Sequence, residues 1–483
     1  MSGRFDLVTI GGGTAGLVAS LGVAGLGGRA VLVEADRVGG DCLWTGCVPS
    51  KALLAAAATA QAMRTADRFG LDPVEPVVDL ARVMASVRRA QAVIEPQDSP
   101  ERLAAHGVEV VRGRGRFAGP GRIVVGEREL RYRAALIATG SRPVVPPIDG
   151  LEGVEPLTSD TVWSLDRLPG RLVVLGGGPI GCELGQAFAR LGSTVTLVEA
   201  LPHLLPREAP GVGEFLAGVL HSEGVDVRVG ARARSVTGAG VGTAGSGVLV
   251  LGDGAEVAFD RILVAVGRRP ATADLGLDTV GVELDERGHV VVDERMATTG
   301  SRIFAAGDVT GVMPFTPVAA HHARIVVTNA LFRARRRAEH DRIPWVTFTS
   351  PEIARVGIDA DAARQRWGDR AVVQRYDYAG LDRAVTHGAN RGWAELVGDP
   401  RRRLVGATVV GEAAGESIAE LTAWITTGRR IDDLSTTVHA YPTFAEGPSR
   451  AADDVLRARW FNPRVTRITS RLLAVLRRLD VPR

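Results

Sequence analysis

Two cysteines that lie close together in the chain are the residues best suited to carry chemistry. Cys42 and Cys47 are separated by four residues, and Lys51 follows Cys47 by four positions. In a cytosolic protein a close thiol pair indicates redox chemistry or metal binding rather than structural cross-linking. No histidine lies near the pair in sequence, and the third cysteine, Cys182, is distant, so a zinc site lacks ligands. We therefore predict a redox-active cysteine pair and no metal site.

Lys51 is the only lysine in a chain of 483 residues, whose other basic side chains are arginine apart from nine histidines. A compact ammonium and a planar guanidinium are not interchangeable at a tightly built site. The position of Lys51 after Cys47 indicates that both serve the same site. An alanine- and leucine-rich helical segment follows, and its N-terminus would stabilise a Cys47 thiolate.

The elements that must position these residues include two copies of a dinucleotide-binding pattern. A strand at 6–10, and again at 172–175, leads into a glycine-rich turn, a helix and a second strand. The second strand ends in Glu34 in the first copy and in Glu199 in the second, each 18 residues beyond the last glycine. Glycine lets the backbone approach a pyrophosphate at the helix N-terminus, and the acid binds ribose hydroxyls. Two complete copies predict two dinucleotide sites.

The acid of the second copy bears on the choice of nicotinamide cofactor. A carboxylate at Glu199 accepts a hydrogen bond from the 2′-hydroxyl of NAD and repels the 2′-phosphate of NADP. The next basic residue is Arg207, eight positions on. We expect NADH to be preferred over NADPH, and FAD to occupy the first copy. Two segments support the FAD site: 138–143 follows a buried strand, and 303–308 is a strand that ends in glycine and Asp308, at the edge where α/β sheets bind ligands.

Size and composition set the class of protein. A chain of 483 residues requires several domains, and 45% hydrophobic with 23% charged residues is ordinary for a globular protein. A net charge of +3 is spread along the chain, so we expect no nucleic-acid partner. Neither a secretory signal nor a membrane-spanning segment is recognisable, which predicts a cytoplasmic location.

The segment from Gly39 to Lys51 resembles the active site of the FAD-dependent pyridine nucleotide–disulfide oxidoreductases, which include glutathione reductase, dihydrolipoamide dehydrogenase and mercuric reductase. The resemblance runs from residue 4 to about residue 455. It implies an α/β enzyme with two doubly wound, Rossmann-like domains for FAD and NAD and a C-terminal α+β dimerisation domain. The implied ranges are 1–150 with 271–341 for FAD, 151–270 for NAD(P), 342–456 for dimerisation, and 457–483 for a basic amphipathic tail helix.

The resemblance also implies roles for individual residues. Cys47 would be the flavin-proximal thiolate and Cys42 the interchange thiol. Lys51 and Glu183 would form an ion pair beside the flavin. The cofactor-binding residues, from the two patterns and the resemblance together, are Gly11, Gly13, Thr14, Ala15, Gly16, Glu34, Gly40, Asp41, Cys42, Lys51, Gly115, Thr139, Gly140, Asp308, Thr316, Gly176, Gly178, Ile180, Gly181, Glu183, Glu199 and Gly267.

The expected acid–base residues depart from the family's usual pattern. Disulfide-reducing members place a histidine directly before Pro-Thr and a glutamate five residues later, both supplied by the second subunit of a homodimer. Here Tyr441 occupies the histidine position, His439 lies two residues earlier, and Glu446 keeps its place. Tyrosine titrates near 10 and is a poor base at neutral pH. Tyrosine at this position is similar to mercuric reductase, but no cysteine follows Cys182 to relay a metal ion.

We therefore expect a homodimeric, mercuric-reductase-like flavoenzyme without the metal relay, reducing a small disulfide, a quinone or another electrophile. His439 acting with altered geometry is the open alternative to Tyr441. Two other functions stay open, a flavin-only NAD(P)H:quinone reductase with an idle cysteine pair and a redox-sensing flavoprotein. For the tail at 457–483 we favour packing against its own dimer, with peripheral membrane contact as the alternative.

Overall fold

Short runs of buried apolar residues form the parallel strands of the first of two units. The computed structural model describes residues 3–238 and 247–479. The boundary between the units lies between His340 and Asp341. In the first strand Leu7 and Val8 are fully buried although they point to opposite faces. Burial of both faces is typical of a parallel sheet that is covered on each side.

The first sheet contains the parallel strands expected for the FAD site. Its order is Val108–Arg112, Ala30–Glu34, Phe5–Ile10, Arg128–Ile137, Arg122–Val125 and Gly115–Phe117, and Ile303–Ala305 pairs in parallel with Arg128–Ile137. The helices Thr14–Gly25 and Thr316–Phe332 contribute residues to a hydrophobic core on one face of this sheet.

The second glycine turn belongs to a separate parallel sheet. Its strands, in order, are Asp226–Arg228, Thr194–Val198, Arg171–Leu175, Arg261–Val264 and Leu157–Thr158. An antiparallel sheet contains Ala233–Thr237, Gly247–Leu251 and Glu256–Phe259, and a two-stranded ribbon pairs Ser141–Pro143 with Arg268–Pro270. The other helices of the first unit are Gly40–Trp44, Cys47–Arg64, Leu80–Ile94, Pro100–Ala105, Pro179–Leu191 and Pro210–Ser222.

The second unit is built on one antiparallel sheet. Its strands, in order, are Trp345–Thr347, Glu352–Gly357, Leu404–Gly411, Trp393–Gly398 and Val372–Asp377. Its helices are Ala360–Trp367, Asp382–Thr386, Ala414–Thr426, Ile431–Thr436, Glu446–Trp460 and Pro463–Leu479. The predicted fold class, α/β nucleotide-binding domains with a C-terminal α+β domain, is confirmed. The boundary predicted between residues 150 and 151 stays a prediction.

The tail differs from the single helix predicted for 457–483. Residues 457–460 complete the helix Glu446–Trp460, and a new helix begins at Pro463. Asn462 starts it, because its side-chain oxygen accepts hydrogen bonds from the N–H groups of Arg464 and Val465, both at 3.1 Å. Residues 480–483 of the predicted tail lie outside the described residues.

The helix Thr14–Gly25 approaches the first strand so closely that Gly16 has no room for a side chain. A Cβ atom on Gly16 would lie 1.9 Å from the carbonyl oxygen of Gly11. The second pattern repeats this contact, since a Cβ on Gly181 would lie 1.9 Å from the carbonyl oxygen of Gly176. A Cβ atom on Gly25, in the same helix as Gly16, would have no described atom within 4 Å.

Two glycine-to-alanine changes in this helix therefore have opposite expected effects. Gly16→Ala forces the helix away from the strand and should cost about 1–3 kcal/mol, as other overpacked sites do. Gly25→Ala should be neutral or stabilise by up to about 1 kcal/mol, because alanine suits a helix better than glycine. Thermal unfolding of both variants beside the unchanged protein measures the difference. Equal transition temperatures for the two would contradict the close contact.

Candidate active site

The first glycine turn is built around the carboxylate of Glu34. Gly11 has φ +110°, in the region that favours glycine. One oxygen of Glu34 accepts a hydrogen bond from the N–H of Gly12 at 2.6 Å, and the other accepts from the N–H of Asp36 at 2.7 Å. No side chain among the described residues caps the helix that begins after Gly13. That N-terminus is therefore suited to bind an anion such as a pyrophosphate.

The second glycine turn has the same construction. Gly176 has φ +108°. Glu199, which is buried, accepts from the N–H of Gly177 at 2.6 Å and from the N–H of Leu201 at 2.7 Å. The helix that begins after Gly178 likewise has no side-chain cap within the described part of the chain. Both predicted dinucleotide sites thus have a glycine turn and an uncapped helix N-terminus suited to a pyrophosphate.

The other residues predicted to contact a cofactor divide into two groups. Thr14, Ala15 and Ile180 lie in the first turns of the two helices, and Ile180 is 36% exposed. Gly115 is the first residue of the strand Gly115–Phe117, and a Cβ atom on it would lie 3.1 Å from Val33.

The buried hydroxyl of Thr139 is suited to bind a polar ligand beside the first sheet. Its oxygen is buried and has no hydrogen-bond partner among the described residues. Buried polar groups without a partner are rare in folded proteins. Gly140 follows with φ +68°, where the chain turns away from the strand Arg128–Ile137. A bound cofactor at this edge would supply the hydrogen bond that Thr139 lacks.

A polar network that the sequence analysis missed connects the residues around this edge. Ser141 donates a hydrogen bond to Asp308 at 2.7 Å, and Arg268 donates to the Ser141 hydroxyl at 2.7 Å. Arg268 also forms an ion pair with Asp41. Arg268 directly follows Gly267, one of the predicted cofactor-binding residues. Its position next to that glycine is the signal in the sequence that could have identified Arg268 as part of the site. Asp41 and Asp308, 267 residues apart, are thereby connected through two intermediate residues.

The cysteine segment is fixed against the first glycine turn. The N–H of Gly39 donates to the carbonyl oxygen of Gly12 at 2.9 Å, and a Cβ on Gly40 would lie 2.6 Å from the Cα of Gly13. Cys42 lies in the short helix Gly40–Trp44. Because Gly46 is the N-cap of the helix Cys47–Arg64, Cys47 is its first residue. The thiol expected to be anionic is therefore at a helix N-terminus.

The pKa values of the two thiols are shifted in opposite directions. The pKa of Cys47 is lowered from 9.0 to about 6, chiefly by the hydrogen bond from Cys42 and also by Thr316 and Lys51, against the opposing effect of burial. The Thr316 hydroxyl lies 3.2 Å from the Cys47 sulfur. The hydrogen bond to Cys47, followed by burial, raises the pKa of Cys42. At neutral pH the pair therefore holds a thiolate at Cys47 and a thiol at Cys42.

The lone lysine connects the cysteine helix to the second nucleotide fold. The ammonium of Lys51 lies 2.9 Å from a carboxylate oxygen of Glu183. Glu183, with 8% of its side chain exposed, lies on the helix Pro179–Leu191, which packs against the helix Cys47–Arg64. A buried carboxylate requires such a partner. The pairing expected from the family resemblance is present in the structure.

In the second unit, the two candidates for acid–base chemistry have different surroundings. His439 is mostly buried, and its Nε2 atom lies 3.1 Å from a carboxylate oxygen of Glu420. Tyr441 is 66% exposed, and its hydroxyl donates to Asp382 at 2.7 Å. That hydrogen bond raises the pKa of Tyr441. Glu446 is buried at the start of its helix. Within this unit, only Tyr441 has a largely exposed side chain among the three predicted residues.

Comparison with known proteins identifies the family. Residues 5–323 match the model described as pyridine nucleotide-disulphide oxidoreductase, and residues 343–452 match the dimerisation domain of the same family. Over 455 residues the chain is 38% identical to a mercuric reductase from Streptomyces lividans, covering 93% of this chain and 95% of that protein. It is also 38% identical over 472 residues to a dihydrolipoyl dehydrogenase from Thermus scotoductus, covering 93% and 97%.

Solved structures agree with this assignment. The Cu(II) complex of the HOCl-induced flavoprotein disulfide reductase RclA from Escherichia coli has a TM-score of 0.84 at 28% identity, covering 94% of this chain and 100% of that one. LpdA from Mycobacterium tuberculosis has a TM-score of 0.84 at 28% identity, covering 93% and 99%. The matches span both nucleotide-binding folds and the C-terminal domain, which implies a homodimer. The chain belongs to the pyridine nucleotide–disulfide oxidoreductases and is an FAD-dependent enzyme of that family.

Proposed function

We propose that this enzyme transfers electrons from NADH, through FAD, to the Cys42–Cys47 pair and from there to a small electrophile. The opposite pKa shifts of the two thiols carry this proposal. A pair that served only as a structural cross-link would not need one sulfur stabilised as an anion. Candidate acceptors are a small disulfide, a quinone or a soft metal ion, the last because thiolates are good ligands for such ions.

FAD would be held by the first glycine turn, Glu34, Thr139 and Asp308. When bound, it supplies the capacity to accept a hydride and to pass on an electron pair. Glu34 would accept hydrogen bonds from ribose hydroxyls, and the uncapped helix N-terminus after Gly13 would bind the pyrophosphate. The unpaired Thr139 hydroxyl supports this assignment. Gly11, Thr14, Ala15, Gly16, Gly40, Asp41, Gly115, Gly140 and Thr316 complete the proposed set.

NADH would be held by the second turn, with Gly176, Gly178, Ile180, Gly181, Glu199 and Gly267. Glu199 supports NADH over NADPH because it is a buried carboxylate that already accepts two backbone N–H groups. Its remaining lone pairs suit ribose hydroxyls, whereas its charge opposes a 2′-phosphate.

Reduction of the Cys42–Cys47 disulfide takes up two electrons and one proton, breaks the S–S bond, and leaves a thiolate on Cys47 and a thiol on Cys42. Lys51 and Thr316 stabilise the thiolate. The Cys42 sulfur must give up its proton when it attacks the acceptor, so a proton-handling group is required nearby.

We assign Tyr441, contributed by the second subunit of the homodimer, to contact with the acceptor. Its exposure and its hydrogen bond to Asp382 support a role as a hydrogen-bond donor that stays protonated at neutral pH. His439 would support the local fold through Glu420, and Glu446 would fix the start of its helix. The relatives at 38% identity include both a mercuric reductase and a dihydrolipoyl dehydrogenase, so identity alone favours neither acceptor.

Two substitutions of Cys42 test how the Cys47 thiolate is stabilised. Serine keeps a hydrogen-bond donor to Cys47 whereas alanine removes it, so the pKa of Cys47 should be higher in Cys42→Ala than in Cys42→Ser. A hydrogen bond to a charged group contributes about 1.5–3 kcal/mol, which corresponds to a difference of about one to two pH units. The midpoint is read from the long-wavelength thiolate-to-flavin absorbance across pH. Cys47→Ser, as the control, should lack this absorbance, and equal midpoints for the two Cys42 variants would refute the assignment.

The role of Glu199 is tested by Glu199→Gln, which removes the charge but keeps an acceptor for Gly177. We expect the ratio of kcat/KM for NADH to that for NADPH to fall about tenfold, a change of about 1.4 kcal/mol. Glu34→Gln is the matched control at the first turn. It should weaken FAD retention and leave the NADH to NADPH ratio unchanged. An unchanged ratio in Glu199→Gln would show that another group selects the cofactor.

The assignment of Tyr441 to contact with the acceptor is tested by comparing Tyr441→Phe with His439→Ala. Loss of the Tyr441 hydroxyl should lower turnover with the acceptor about 100-fold, the lower range for removal of one hydrogen-bond donor from a reacting group. Direct flavin oxidation by ferricyanide should not change. A screen of glutathione disulfide, lipoamide, mycothiol disulfide, Hg(II), Cu(II) and naphthoquinones under anaerobic NADH identifies the acceptor. If only His439→Ala abolishes turnover, with thermal stability intact, the assignment to Tyr441 is wrong.

A further inference from the structure

The helix Pro463–Leu479, here called the tail helix, is a regular helix without a buried residue in its described part. Its start is fixed by Asn462, as described above. It is 17 residues long, which corresponds to about 25 Å. A helix that is capped at its start and has no buried side chain leaves its apolar surface in water.

One side of the tail helix is apolar. The residues recur at spacings of three and four, which places them on a face about 100° wide. Their exposed fractions include 67% for Ile468, 57% for Leu472 and 72% for Leu479. The members of the face are Val465, Ile468, Leu472, Val475, Leu476 and Leu479. Trp460 and Phe461, 54% and 80% exposed, lie three and two residues before Pro463.

The neighbouring side is cationic. Arg464, Arg467, Arg471 and Arg478 lie at spacings of three, four and seven, which keeps them on one face beside the apolar one. The sequence from 463 to 479 contains no acidic residue. Its positive charge therefore has no compensating carboxylate on the tail helix itself.

The apolar face and the cationic face together determine which kind of partner the tail helix can bind. A second tail helix would satisfy the apolar face but would place like charges side by side. A nucleic acid would satisfy the arginines but leave the row of exposed leucines in water. An anionic bilayer satisfies both, because arginine forks bind lipid phosphates while the apolar face enters the acyl boundary.

We propose that the tail helix docks this enzyme on the surface of an anionic phospholipid membrane, lying parallel to the bilayer plane. Trp460 and Phe461 would add aromatic anchors at the headgroup level. Within residues 3–238 and 247–479, the structure has no helix that is long and apolar enough to cross a bilayer. This binding does not depend on the proposed electron acceptor or on the choice of NADH.

The test is flotation of the full-length, FAD-loaded protein with phosphatidylcholine vesicles, with and without phosphatidylglycerol. We expect the protein to float only with the anionic vesicles and to be released by high salt, because surface charge attraction is screened. Leu472→Gln should weaken binding about tenfold by removing one apolar group from the lipid boundary. Ser470→Gln, on the opposite side of the helix, is the matched control and should bind like the unchanged protein. Both should keep the NADH–ferricyanide rate.

Three results would overturn the proposal. The first is an absence of flotation with anionic vesicles. The second is Leu472→Gln changing the dimer mass by light scattering while vesicle binding stays the same, which would assign the apolar face to the enzyme's own dimer. The third is equal vesicle binding by the two variants together with retention on duplex DNA, which would assign the arginines to a nucleic acid.

Discussion

The hydrogen bond between Cys42 and Cys47 favours a negative charge on one sulfur and a proton on the other. A buried anion is costly unless it is compensated. Here the start of a helix, the Thr316 hydroxyl and the Lys51 ammonium compensate it, and Lys51 is in turn paired with Glu183. The Lys51 ammonium thus stabilises the Cys47 thiolate, and the Glu183 carboxylate stabilises the ammonium. The electrostatics of the thiol pair therefore depend on two helices that belong to different nucleotide-binding folds.

The two glycine turns provide the rigid support for this arrangement. In each, a glutamate at the end of a strand accepts one hydrogen bond from an N–H of the glycine turn and one from the N–H two residues after itself, which fixes the carboxylate against the turn. The cysteine segment is fastened to the first turn by backbone contacts at Gly39 and Gly40. A shift of that turn would move the thiols with it.

Local features of the fold could be predicted from the sequence, whereas long-range contacts could not. Both glycine turns, and Cys47 near a helix N-terminus, followed from the spacing of neighbouring residues. The pairing of Lys51 with Glu183, 132 residues apart, came only from the family resemblance. Arg268 was missed because its partner Asp41 is 227 residues away. The start of the tail helix was misplaced although Asn462 before Pro463 is a typical helix-start signal.

The scarcity of lysine has a practical consequence for chemical labelling. Lys51, with 38% of its side chain exposed, carries the chain's single ε-amine. Apart from the α-amino group, acylating reagents therefore have one amine to modify, and it lies within the ion pair with Glu183. The extent of labelling, counted by mass spectrometry, reports directly on whether that ion pair is closed. The same scarcity leaves enzymatic acetylation or ubiquitin attachment no surface lysine elsewhere on the chain.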